Sequence, residues 1–155
     1  MPSAVVYAAE KLPTNKIKSM LDTYWDTRTG GEIPEPQFLE VVTDEPAYNL
    51  TNDGDTIVIR PDTRGETERL RDSWNYKDTE YVITLELHTA ASRQRLYDLK
   101  AEVRRLCHVY KHNKTVTGYQ VLIYESFVEY SDIENQIWEG EIKLRLQTVG
   151  EVLDI

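Results

Sequence analysis

Three histidines, one cysteine and 27 acidic side chains are what this 155-residue chain could use for chemistry. His108 and His112 stand four apart in a stretch of helical period, a spacing at which two imidazoles can share one metal ion. No Glu follows His108 and no third ligand stands at a recognisable distance, so two solvent-facing side chains are expected, with no metal bound. His88 closes the polar side of an alternating stretch, and the sequence offers it no evident partner. Glu80 and Glu86 fall on that same side, and Glu139 and Glu141 on the polar side of a second such stretch. Carboxylates placed by strand period single out no general acid–base pair, although such pairs do assemble from distant positions. Cys107 alone excludes an intramolecular disulfide. It lies one residue off an apolar helical stripe and reads as a small half-buried side chain rather than a reactive thiol. Phosphate loop, dinucleotide fingerprint, nucleophile elbow and zinc ribbon are all missing. The expectation is a protein without catalytic residues or cofactor.

The elements that position these residues centre on Glu80–Asn113. Tyr81, Ile83, Leu85 and Leu87 alternate with polar residues, which makes a strand with one face on a core. Leu96, Leu99, Val103, Leu106 and Tyr110 then follow at steps of three and four and lay one apolar stripe along a helix. Ser92, or Thr89 before it, can cap the first turn, and a stop is expected near His112–Asn113. Upstream, Ser3–Leu12 reads as a helix turn or an edge strand. Thr14 is the expected cap of a helix to about Trp25, with Tyr24 and Trp25 in the core. Asp26–Pro36 is an irregular loop, Phe38–Val42 a short strand and Asp44–Gly54 a polar turn region. Thr56–Arg60 is a second strand that Pro61 ends.

Residues 62–78, crowded with charge, are expected to form a long loop projecting from the sheet's end, a device that is usually functional. Downstream, Tyr119–Tyr130 forms a strand whose alternation slips near Tyr124–Phe127, the mark of a bulge. Tyr124, Ser126, Val128 and Tyr130 share a face in that reading. Trp138 begins a final alternating strand, paired with it as an antiparallel hairpin. Residues 1–155 are thus read as one α+β domain, with a mostly antiparallel sheet of about five strands and two main helices packed on one face.

The net charge of −9 disfavours sequence-specific nucleic-acid binding, and no apolar run reaches the roughly 18–20 residues of a membrane helix. A secretory leader is not expected from the N-terminal residues. The long helix is locally basic, however. Arg93, Arg95, Lys100, Arg104, Arg105 and Lys111 outnumber Asp98 and Glu102. That face is either solvated, with Glu102 reaching Arg105, or complementary to an acidic neighbour such as a second copy. Arg64, Glu66, Arg69, Leu70, Arg71 and Trp74 in the 62–78 segment fit the second idea. An exposed Trp among arginines suits an interface anchor, and it would equally serve to pin the segment to the core.

The stretch YVITLELHTAASRQRLYDLKAEVRRL (81–106), followed by a long hairpin with a Trp before the last charge-alternating strand, resembles tail terminator and related head–tail joining proteins of tailed viruses. The resemblance spans roughly 56–149, and the Asp26–Pro36 loop departs from it. It implies a non-enzymatic virion protein, assembled in the host cytoplasm, that forms a homo-oligomeric and sixfold ring at the head-proximal end of the tail. Such a ring ends tail-tube polymerisation, contacts tail-tube and neck proteins, and passes viral DNA through its channel without sequence-specific binding. The family brings no catalytic residues. The competing readings are another neck position, adaptor or stopper, and a cellular small-ligand-binding α+β domain.

Overall fold

The structure, a computed structural model, describes residues 12–26, 31–40, 55–71 and 76–152. The expected Ser3–Leu12 element (apart from Leu12), the Asp44–Gly54 turn and Trp74 therefore lie outside the described residues. Helix α1 (Pro13–Tyr24) is followed by β1 (Gln37–Glu40), β2 (Thr56–Arg71), β3 (Tyr76–Thr89), helix α2 (Arg93–Val109), the short helix α3 (Lys114–Thr117), β4 (Val121–Glu129) and β5 (Trp138–Val152). The strands form one five-stranded sheet in the order β1-β2-β3-β5-β4. Among the described strands, only β1 runs parallel to its neighbour. The α+β architecture is the one the alternation and the helical stripe predict.

The apolar stripe of α2 lies on the sheet. Leu96, Leu99, Val103 and Leu106 are fully buried against Ile83, Leu85 and Leu87 of β3 and Ile142, Leu144 and Leu146 of β5. Ile17, Met20 and Leu21 of α1 join the same core, so both long helices cover one face. Each such side chain contributes about 1.5–3 kcal/mol through removal from water. Trp25 is buried and Tyr24 half-buried, as their clustering suggests. Ser92 caps α2 by accepting from Arg95 N–H at 3.1 Å.

Local details differ from expectation for identifiable reasons. Thr14 does not cap α1; Pro13 starts the helix first, and the Thr14 hydroxyl donates to Glu40 at 2.9 Å, tying α1 to β1. Helix α2 ends at Val109, and Asn113 instead caps α3 by accepting from Val116 N–H, with Gly118 at φ +83° closing it. The bulge in β4 is present at Glu125. Yet Tyr124 lies opposite Leu144 and faces the core, whereas Ser126 lies opposite Lys143 on the other face. A bulge absorbs one residue and so restores the face that simple counting reverses.

The largest correction concerns 62–78. Pro61 does not end β2, and the segment is no structureless loop. Beside Pro61 the described part of β1 has already ended, opposite Ile59, so on that side no described strand calls on the missing N–H. The chain makes a wide excursion over 62–65 and then pairs again, Glu66 with Tyr81 through to Arg71 with Tyr76. Residues 76–78 are the start of β3. Of the described residues 66–70 and 76–79, all but Thr79 keep part of their surface in water, so the charge-rich side chains carry no apolar period.

Candidate functional site

Among the described residues, the sheet runs on past β1 and then past the start of β4 as three strands. Residues 66–71 of β2 pair with 76–81 of β3, which pair in turn with the end of β5 as far as Val152. Glu66, Thr67, Glu68, Arg69, Leu70 and Tyr76 are all exposed, as is Val149. This three-stranded arm is the structured form of the expected projection. Lys77 bridges to Glu68 at 3.3 Å, and Gly150 N–H donates to Asp78 at 2.8 Å where the β3–β5 register shifts. Leu70, Tyr76 and Val149 leave 41, 37 and 54% of their surface in water.

The root of the arm is anchored on the sheet face opposite the helices. The excursion of 62–65 places Asp62 over the sheet, where its carboxylate accepts from Thr84 Oγ1 at 2.9 Å, from Arg64 N–H at 2.9 Å and from Lys143 Nζ. Burial pushes this carboxyl up, but the Lys143 hydrogen bond, the Arg64 backbone N–H and the Thr84 hydroxyl outweigh it and hold it well below the carboxylate range. Arg64 then spans the face to β4, donating to both Glu125 oxygens at 3.2 and 2.9 Å. Those bonds lower the Glu125 carboxyl. Arg145 meets the same carboxylate at 2.6 Å. The extra residue of the β4 bulge is thus the one that receives the arm.

The other end of that face holds His88, which is 4% exposed. Its Nδ1 lies 3.0 Å from Glu139, and its Nε2 lies 3.7 Å from Glu86. The partners that sequence spacing could not supply come from β5 and from the residue two before. Arg60 Nε donates to Glu86 at 2.6 Å. The proximity of His88, opposed by burial and aided by the Arg60 hydrogen bond, lowers the Glu86 carboxyl. His108 and His112 are exposed, and among the described residues no group of three or more His, Cys, Asp and Glu side chains gathers as a metal site. Cys107 is 1% exposed, and burial pushes its thiol up to about 12.

The basic helix face divides into structural and open residues. Arg93 pairs with Glu129, and Arg95 binds Asp55 at 2.6 Å and the Pro34 carbonyl at 2.6 Å. Arg105 holds Glu102, which is buried and also accepts from Asp26 N–H at 2.9 Å. Glu102 is therefore a core residue pinning the end of α1, and not a member of a solvated face. Arg64, Arg93 and Arg105, expected as interface residues, form ion pairs within the fold, and Arg64 and Arg93 still keep 45 and 60% of their side chains in water. Glu66, Arg69, Leu70 and Arg104 remain exposed. Arg71 belongs to β2 by its backbone. Lys100 and Arg104 form no ion pair among the described residues; Lys100 lies over the Tyr97 and Phe127 rings at 5.1 and 4.7 Å, and Arg104 over Tyr124 at 6.0 Å.

One groove of about 370 Å³ opens between α1, α3 and the arm. Lys16, Lys77 and Lys114 line it together with Glu66 and Glu151, so its charge is nearly balanced. Comparison with protein-family models and with curated proteins gives no match to this chain.

Proposed function

We propose that this chain is a structural, non-enzymatic subunit of a tailed-virus neck. Copies of it close into a ring at the head-proximal end of the tail, end tail-tube polymerisation and join the tail to the neck. The observation that carries the reading is the arm. A three-stranded extension whose residues Glu66–Leu70, Tyr76 and Val149 stand in water costs ordering entropy and buries few apolar side chains among the described residues. Such a structure gains its stabilisation from a neighbour. The anchoring of its root through Asp62 and Arg64 supports a role that needs the arm held at a fixed angle. The net charge of −9 suits a channel through which DNA slides without adhering. An adaptor or stopper below the portal would use the same surfaces.

Electron microscopy of the purified protein tests this, alone and mixed with the tail-tube protein of the same virus. Rings with a central channel are expected, and the Leu70→Asp/Tyr76→Asp variant is expected to lose them while melting at the wild-type temperature. Absence of rings under both conditions, or rings indifferent to that variant, would overturn the reading of the arm.

A further inference from the structure

The arm is one surface; the outer side of α2 is a second, and it has a matching partner elsewhere on the chain. Tyr97, Lys100, Ala101, Arg104, His108 and Val109 line a shallow groove of about 530 Å³. Its floor is apolar, Tyr97 and Val109 being 38 and 58% exposed, and its rim is cationic. Lys100 and Arg104 are the α2 cations held by aromatic rings rather than carboxylates, whereas Arg93, Arg95 and Arg105 are neutralised by Glu129, Asp55 and Glu102. In a chain of net charge −9, this is a distinct positive patch.

The connection between β4 and β5 has the opposite character. The isolated bridge between Asp132 and Ile137 closes a tight turn, in which Asp132 accepts from Asn135 N–H at 3.3 Å and from its side chain at 2.7 Å. Those two bonds lower the Asp132 carboxyl and keep it charged. Between Asp132 and Glu134 stands Ile133, 67% exposed, the most exposed large apolar side chain among the described residues. An acid–isoleucine–acid knob on a hydrogen-bonded turn is complementary in charge and polarity to an apolar groove rimmed by a lysine and an arginine.

We infer that the Asp132–Ile133–Glu134 turn of one copy seats in the Tyr97–Lys100–Arg104–Val109 groove of the next. The knob and the groove are different surfaces of one chain, so the contact is head-to-tail. Repetition of such a contact closes a ring when the rotation between copies permits. The inference rests on the ring reading above and names the surfaces that build it. Single-stranded nucleic acid also favours cationic aromatic surfaces. The acidic balance of the whole chain and the presence of its own acidic knob favour a second copy.

The test uses two charge reversals at exposed positions, Arg104→Glu and Glu134→Lys, followed by sedimentation velocity over a concentration series. Each variant alone is expected to need about tenfold more protein for half-assembly than wild type, with an unchanged thermal melt. An equimolar mixture is expected to recover assembly, because in alternating order each contact pairs either the native charges or both reversed ones. Single variants that assemble as wild type does, while Leu70→Asp/Tyr76→Asp fails, would overturn this contact and leave the ring standing. A mixture that does not recover would overturn the pairing. A wild-type chain monomeric at every concentration, alone and with the tail-tube protein, would overturn both readings. Binding of a single-stranded oligonucleotide that Arg104→Glu abolishes, with assembly untouched, would reassign the groove to nucleic acid.

Discussion

Asp62→Asn removes one negative charge from the point where the arm's root meets the sheet. The substituted amide keeps the size and one acceptor oxygen, but its NH2 group faces Lys143 and Arg64, which are themselves donors. A fully buried pair broken on one side costs about 3–5 kcal/mol. Here the loss is smaller, because Lys143 retains Glu141 at 2.6 Å and has a quarter of its side chain in water. A destabilisation of about 2 kcal/mol follows, equivalent to a drop in Tm of roughly 4–8 °C for a chain of this size.

The pH dependence has a definite sign. The Asp62 carboxyl is lowered in the folded state, so its stabilisation is fully present above the unfolded carboxyl value near about pH 4 and is lost as pH falls toward the folded value. The gap between wild type and Asp62→Asn should therefore be constant from pH 7 to about pH 5 and narrow below about pH 4. Thermal unfolding followed by circular dichroism across that range measures it. A gap under about 0.5 kcal/mol at neutral pH, or one that persists unchanged at pH 3, would refute the assignment of Asp62 as the arm's charged anchor.

Two other substitutions probe the frame that carries the surfaces. Gly140 lies under the Phe127 ring, and an added Cβ would fall inside the contact distance of that ring; Gly140→Ala should cost about 1–3 kcal/mol in chemical denaturation, and Phe127→Leu in the same chain should recover part of it. Glu102 accepts from Arg105 and from the Asp26 N–H while nearly excluded from water. Glu102→Ala should lose about 3 kcal/mol and Glu102→Gln less, since the amide oxygen still meets the Asp26 donor; equal losses in urea titrations would contradict that order.

Much of the fold was legible because it rests on period. The alternation from Tyr81 to Leu87 and the three-four steps from Leu96 to Leu106 are direct records of which side chains leave water. The β4 bulge was legible for the same reason, as a slip in that record. What period could not convey was a strand pairing whose side chains are mostly polar and in water. The arm has no apolar alternation to read, so Glu66–Arg71 looked like a loop although its backbone pairs residue by residue with β3. The site residues suffered from a related limit. Arg64, Arg93 and Arg105 carry the charge of an interface, but their partners Glu125, Glu129 and Glu102 declare themselves only once the sheet and helix bring them together. His88 was likewise without a visible partner, because Glu139 stands opposite it only through the β3–β5 register.

The central claim is that copies of this chain close into a ring, and absolute mass tests it most directly. Light scattering on the purified protein at low and high salt should show an assembly of six 18.0 kDa chains, about 108 kDa, weakening as salt screens the knob-and-groove charges. A mass of one chain at every concentration and salt, alone and with the tail-tube protein, would contradict the account.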